Sequence, residues 1–348
     1  MKDDLPEASG WQAIDAALSP LYGDQQPRHW GPILHARIGG PDPLDGISAY
    51  RVEKPAHWHY LTYGMSELYE KETDDPEVSG WGFEFTLRLV RQGEADEAEP
   101  PAWVLNFLNN LARYVLETGN VFDVGHHMDL NGPIALAEDT AIRALAFAAD
   151  PELGSIATPH GRLKFLQVVG LTLDELHAVE AWDTEKFLGL IQRSDPLLLT
   201  DLRRASRLLD PSLAGEVQQG SARDGSSQAT LFASKVEWSV GAAAQVTLGA
   251  NAVAQLLRLL PQRLPFGREF ALAGSRQLVR FEPAPSPLWR AEEEALVIGL
   301  PGAACRQFCD GLAARRGKYG WAMLPGLNLV VVPSEIKDHE GRVIEIVG

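Results

Sequence analysis

Cysteine is almost absent from this chain: its 348 residues contain two, Cys305 and Cys309. Four positions apart on a segment with helical spacing, they are neighbours on one face and close no loop, which excludes a disulfide framework. No further Cys or His nearby completes a ligand set, so the pair reads as structural thiols and not as a metal or redox site. Long apolar runs are missing as well, none reaching the ~20 residues that span a bilayer. The opening Met1-Lys2-Asp3-Asp4 is acidic and lacks the apolar centre of a secretion signal. A reducing, cytoplasmic setting is the expectation. Positive charge is also scarce, 31 Lys and Arg against 47 Asp and Glu, for a net charge of -16. Phosphate backbones and anionic lipid surfaces are repelled by such a chain, so nucleic acid and membrane are not expected partners. Acidity of this kind serves solubility, and it is equally compatible with a cationic protein partner.

Catalytic signatures are lacking too. No Gly-x-Ser-x-Gly elbow occurs, which argues against a serine hydrolase. Gly80 and Gly82 begin like a dinucleotide fingerprint, but a strand follows them and the third glycine and the helix are missing. No cofactor is expected. His126 and His127, flanked by Asp123 and Asp129, are the best local imitation of a metal site. Adjacent histidines on a regular element diverge, however, and a loop would have to orient both. His57 and His59 share one face of an extended segment, yet no second pair at matching spacing accompanies them. A metal-assisted hydrolase using His126, His127 and Asp123, with His57 or His59, remains the alternative to a protein that only binds.

What is present is organised as helices and strands without strict alternation, which predicts an α+β fold. The length exceeds the roughly 250 to 300 residues at which a single core stops growing, so two domains are expected, each a sheet with packed helices. Trp11 to Leu21 has helical spacing and Gly23 follows as a stop. His57 to Tyr63 reads as a strand. Trp81, Phe83, Phe85, Leu87 and Leu89 alternate with Glu84, Thr86 and Arg88, predicting a strand with one buried face. An acidic loop is expected from Gln92 to Pro101, then a helix whose stripe is Val104, Phe107, Leu108, Leu111 and Val115, stopped by Gly119. Leu163 to Val169 reads as a strand, and Thr172 with Glu175 as a capping box opening a helix through Trp182. Gly215 to Gln228, rich in Gly and Ser with hardly any large apolar residue, predicts a short linker. It separates an amino-terminal domain, 1–214, from a carboxy-terminal α+β domain, 229–348. There Leu231 to Val240, Leu278 to Phe281, Ala295 to Leu300 and Leu327 to Val332 read as strands, with helices at Asn251 to Leu260 and Ala303 to Arg315.

Three clusters of rare residues stand in one order: Gly40-Pro41-Asp42-Pro43-Leu44-Asp45, His57-Trp58-His59-Tyr60 and Ser79-Gly80-Trp81-Gly82-Phe83-Glu84-Phe85. With Leu111-Ala112-Arg113-Tyr114-Val115, Thr158-Pro159-His160-Gly161 and Thr200-Asp201-Leu202-Arg203-Arg204, the chain resembles the Suppressor of fused family from about Tyr22 to Val332. The resemblance implies a non-enzymatic binding protein. In animal members the two domains close around an extended peptide of Gli transcription factors, which adds a strand between them, so capture of a protein segment in an inter-domain cleft is the implied function. Tyr114 matches a groove-lining tyrosine of those relatives, and Lys235 and Trp238 mark the strand expected to face the partner. From the residues alone, Tyr114 is a helix-edge tyrosine packing on the core. Where the animal pattern has Gly followed by an acidic residue that pairs with a histidine of the Gli peptide, this chain has Gly125 then His126. That replacement removes a charge-assisted bond and puts the Gli-type ligand in doubt. The short linker and the lack of the animals' long insertion resemble bacterial-type members, which implies an immunity role in a polymorphic toxin system. The partner's identity and the oligomeric state stay open.

Overall fold

A computed structural model describes residues 8–32, 40, 42–91, 99–337 and 341–348. Most of the acidic loop expected from Gln92 to Pro101, the start Met1-Lys2-Asp3-Asp4, and Pro41 of the first rare-residue cluster lie outside the described residues. The chain divides into two compact units, residues 1–176 with 184–206 and residues 177–183 with 207–348.

In chain order the first unit carries α1 (Ser9–Tyr22), β1 (Arg28–Trp30), β2 (Gly46–Glu53), β3 (Ala56–Tyr63), β4 (Val78–Val90), α2 (Trp103–Thr118), β5 (His127–Asp129), β6 (Ile142–Ala149), β7 (Ser155–Thr158) and β8 (Gly161–Thr172). Helix α3 (Leu173–Ala181) follows, and α4 (Thr184–Gln192) returns to this unit. Among the described residues the strands form one eight-stranded sheet in the order β1-β2-β3-β4-β8-β6-β5, with β7 paired to β8. β4 and β8 run parallel and the other pairs are antiparallel. Strand β4 alternates as expected. Phe83, Phe85, Leu87 and Leu89 meet the α2 stripe of Val104, Leu108, Leu111 and Val115 in one core, each such side chain worth roughly 1.5–3 kcal/mol on burial. Gly80 and Gly82, both at positive φ, sit at the register shift of β4.

The opposite face departs from expectation. Glu84, Thr86 and Arg88, which the alternation assigns to solvent, are fully buried. Ile14 and Leu18 of α1, together with Leu153 and Ile156, pack with Tyr50, Leu61, Tyr63, Leu163 and Phe165 on that side. Buried polar groups there must find partners within the protein. Arg88 donates to Asp150 Oδ1 at 3.0 Å, to Glu152 Oε2 at 2.9 Å and to Gln167 Oε1. Thr86 Oγ1 donates to Asp150 Oδ2 at 2.8 Å, and His59 Nε2 lies 3.2 Å from the same oxygen. Burial pushes the Asp150 carboxyl up, but His59 and Arg88 outweigh it and hold the group far below the ordinary carboxylate range. A polar row that looks wet in sequence is an internal ion cluster.

The second unit contains α5 (Pro211–Asp224), β9 (Thr230–Phe232), β10 (Val236–Val240), β11 (Ala244–Gly249), α6 (Ala250–Leu259), β12 (Phe270–Ala273), β13 (Leu278–Pro283), β14 (Leu288–Ala291), β15 (Ala295–Leu300), α7 (Gly302–Asp310), β16 (Gly317–Gly320), β17 (Leu327–Val332), β18 (Ser334–Lys337) and β19 (Val343–Val347). Its described strands form a five-stranded sheet, β14-β15-β13-β12-β9, a four-stranded sheet, β10-β11-β17-β16, and a β18-β19 hairpin. One core joins Val246, Leu248, Leu256, Phe270, Phe281, Ile298, Phe308 and Leu329. Cys305 is buried and Cys309 partly so, both as free thiols, and α7 stops at Asp310, short of the expected Arg315.

Most of the segment expected to be a linker, 215–228, is the helix α5. Asp210 caps its start by accepting from Ser212 N at 2.8 Å, and Pro211 occupies the first turn, where a missing N–H costs nothing. Gly220 is there for close approach: a Cβ at this position would come 2.3 Å from Trp182 Cζ2. Past the helix, Ser226 N donates to Gln262 O at 2.8 Å and Arg263 Nη1 to Ser226 O at 2.6 Å, so this stretch too is anchored. Among the described residues of both units, no helix is long and apolar enough to cross a membrane.

Candidate functional site

In the first unit, α2 ends at Gly119, whose N–H returns to Val115 O at 2.8 Å, and the chain reverses toward β5. Tyr114, in the last turn of α2, is 37% exposed. Its ring stacks on Phe122 with centroids 5.5 Å apart, and Phe122 stacks in turn on the buried Phe147 at 4.4 Å. Asn120 Nδ2 donates to the Tyr114 hydroxyl at 3.1 Å. The tyrosine is therefore fixed on the core by one face and accessible by the rest, an amphipathic arrangement suited to contact with another chain.

The next residues form a tight turn. Asp123 Oδ1 accepts from Lys164 Nζ at 2.6 Å and from Val124 N at 2.7 Å, and His126 N donates to Asp123 O at 3.1 Å. Burial raises the Asp123 carboxyl, but Lys164 and the Val124 amide outweigh it and leave the group below its ordinary value. Asp123 N donates to His126 Nδ1 at 3.2 Å. An accepting Nδ1 leaves Nε2 as the proton-bearing nitrogen, so the exposed His126 ring can offer a donor to a partner. Gly125 adopts φ +85°, the left-handed region that favours glycine, and a Cβ there would lie 3.2 Å from the side-chain oxygen Glu185 Oε1 of α4.

β5 is the terminal strand of its sheet, with no strand beyond it among the described residues. Phe147 N donates to His126 O at 2.9 Å and Leu130 N to Arg143 O at 3.1 Å. Alternation along an antiparallel ladder then turns the amides and carbonyls of His127 and Asp129 away from β6. His127 Nδ1 lies 3.0 Å from Thr184 Oγ1 at the start of α4.

The histidines do not converge. His126 is engaged by its own turn and His127 by Thr184. His57 Nδ1 accompanies Pro55 O at 2.7 Å, and the fully buried His59 lies between Tyr22 and Asp150. Among the described residues no group of three His, Cys, Asp or Glu side chains has the arrangement to hold a metal ion.

In the second unit, Lys235 and Trp238 lie at and within β10, the terminal strand of the four-stranded sheet. Lys235 Nζ pairs with Glu237 Oε1 at 2.6 Å, both side chains exposed. The Trp238 main chain is already engaged. Its N–H donates to Gln277 Oε1 at 2.7 Å, and its carbonyl accepts from Gln277 Nε2 at 3.1 Å. Its indole packs on the core of this unit, with Nε1 buried and unpartnered among the described residues. Tyr114 and His126 thus border one segment of the first unit, and Lys235 and Trp238 one strand of the second. Phe122, Asn120 and Gln277, which the sequence reading omits, hold these residues in place. A ring three positions past the α2 stop, Gly119, was the signal available for Phe122; nothing local marks Gln277.

The family described as Suppressor of fused protein matches residues 40–205. The human Suppressor of fused homolog is 36% identical over 249 residues, 66% of this chain and 50% of that protein, and the mouse protein gives the same figures. The chain thus spans about half the length of the curated relatives it matches. The crystal structure of Drosophila Suppressor of Fused superposes with a TM-score of 0.77 at 22% identity, over 94% of this chain and 97% of that one, so the two share a two-domain mixed α/β fold. A chain of the Sufu-Fu complex crystal structure is 30% identical with a TM-score of 0.56, over 62% of this chain and 98% of its own length.

Proposed function

The chain belongs to the Suppressor of fused family, and from that premise we propose that it is a non-enzymatic binding protein that takes an extended segment of a protein partner along β5. The observation that carries this reading is the terminal position of β5, with the Asp129 main chain turned away from β6 and the half-exposed Tyr114 beside the same turn. Strand addition supplies main-chain hydrogen bonds of generic affinity, while neighbouring side chains select the sequence. A relative seen in the Sufu-Fu complex supports a protein partner. On the second unit, Lys235 and the strand around Trp238 are the proposed contact residues.

His126 shapes which partner fits. With Nδ1 taken by the Asp123 amide, Nε2 is the outward donor of the ring where an acidic residue would accept, so the partner presents a carbonyl or carboxylate there and not a cation. The resemblance to bacterial-type members makes a toxin-derived polypeptide the partner class to present first, in the role of an immunity protein.

The test is affinity capture on the immobilised full chain, followed by mass spectrometry, with two variants of one residue. Asp129→Pro removes an outward N–H from β5, and Asp129→Ala controls for the bond that Asp129 Oδ1 accepts from Asn131 N at 2.8 Å. Capture of a specific protein retained by the alanine variant and lost by the proline variant is the expected result. Equal retention by both contradicts pairing at this edge.

A further inference from the structure

The first unit contains a cavity of about 300 Å³, open to solvent, beside α1 and the strands β1 to β3. No residue of the β5 turn lines it. Its size is at the lower end of small-ligand sites, which run from about 300 to 1,000 Å³. Two aromatic pairs line it: Trp11 stacks on Tyr63 with centroids 4.1 Å apart, and Tyr22 stacks on Tyr50 at 4.0 Å. Trp11, Asp15, Leu18 and Tyr22 follow one stripe of α1, so the helix delivers two rings and a carboxylate to the same wall.

The charge in this wall has one sign. Asp15 is the single formally charged acid or base among the lining residues, none of which is lysine or arginine. Asp15 Oδ1 accepts from the Tyr63 hydroxyl at 3.1 Å, and among the described residues it forms no ion pair. His29 faces the same space with Nδ1 3.0 Å from Ser48 Oγ. Burial lowers the His29 pKa from its ordinary value, so the ring is neutral near pH 7 and supplies no counter-charge. Packing also raises the Asp15 carboxyl, a penalty that a bound cation would relieve.

A carboxylate without a cation, set among aromatic faces, is the combination that accommodates an organic ammonium group. Ring quadrupoles attract the positive alkyl surface, and the acid meets the charge. Anions are repelled by Asp15, and a neutral molecule gains nothing from its charge. We propose that this cavity binds a small alkylammonium group, with Asp15 opposite the charge and Trp11, one turn away on α1 and stacked on Tyr63, against its alkyl surface.

The ammonium can belong to a free compound or to a modified lysine side chain, and calorimetry on the full chain separates the two with choline and N-acetyl-trimethyl-lysine amide as probes. The neutral dimethylbutanol isostere of choline is the control for shape. Saturable binding of either ammonium is expected, weaker by roughly tenfold or more for the neutral isostere and in the Asp15→Asn variant. Asn keeps an oxygen for the Tyr63 hydroxyl, so that variant retains the wall. Ser19→Trp, at an exposed lining position of α1, fills the space and should abolish binding without disturbing the core. Preference for choline assigns the site to a free compound and preference for the lysine derivative to a side chain. No saturable binding of either probe, equal binding of the isostere, or unchanged affinity in Asp15→Asn overturns the proposal.

Discussion

The side chain of Gln277 stands in for a neighbouring strand at Trp238, its amide accepting from the Trp238 N–H at 2.7 Å and donating to the Trp238 carbonyl at 3.1 Å. An edge strand left open is a template for unwanted pairing, and a side-chain amide blocks it at one residue. The same bond pair bars a partner from this part of β10 unless it displaces Gln277. Replacing Gln277 by Ala is expected to cost about 1–2 kcal/mol, the loss of two partly buried hydrogen bonds. It should strengthen capture if the partner pairs with β10. Urea unfolding and quantitative capture check the two arms, and unchanged capture by a folded variant would place the partner away from this edge.

Tyr114 should matter for binding more than for folding. Tyr114→Ala forfeits a stacked contact on Phe122 worth about 1 kcal/mol, whereas partner capture should fall by about tenfold or more, as for an aromatic anchor. Tyr114→Phe retains the stack and loses the bond from Asn120, so it should bind nearly as the parent does. Surface plasmon resonance against the captured partner reads both. Indistinguishable affinities for the alanine variant and the parent would assign Tyr114 to packing alone.

The buried ion cluster is a folding element. Arg88→Met leaves Asp150 without its guanidinium in an enclosed site, and removal of one member of a buried pair costs about 3–5 kcal/mol. Chemical denaturation monitored by tryptophan fluorescence should show the midpoint falling accordingly. A midpoint within error of the parent would mean that the cluster contributes nothing to the folded state.

Glu84 links stability to pH. Burial pushes its carboxyl up to about 7, with the hydroxyls of Ser66 and Thr62 and the amides of Ser66 and Gly64 opposing the shift. The folded protein therefore holds this proton more tightly than the unfolded chain, whose value is 4.5. Its contribution is full below the unfolded value and is lost as pH rises through about 7. His57, which burial lowers to about 4, acts in the opposite sense over much of the same range, so the difference between parent and variant is the informative quantity. Glu84→Gln, which mimics the protonated acid, should gain stability relative to the parent as pH rises across that interval. A difference that stays flat with pH would show Glu84 ionised equally in both states.

Regular patterns survived translation from sequence to structure where one physical cause sets them. The alternation of β4 and the stripe of α2 follow from burial on one face, and both are found where the periodicity puts them. Arg88 on that same β4 pattern looked exposed because its partner Asp150 lies 62 positions away, a distance over which no local signal operates. Gly220 misled in another way. A small residue can serve chain freedom or close approach, and composition alone does not separate these, so the helix packed on Trp182 looked like a linker. At the candidate site, Tyr114 and His126 came from the family resemblance, while the Phe122 stack and the Gln277 bonds to Trp238, 39 positions away, emerge only from the folded chain.

Hydrogen exchange at β5 reports most directly on whether a partner chain lies alongside it. Once a captured protein is in hand, amide exchange is followed for Asp129 with and without it. Pairing along β5 predicts that this outward amide becomes strongly protected on addition of the partner, while Met128, bonded toward β6, changes little. Exchange at Asp129 that is as fast in the complex as in the free chain would contradict strand addition.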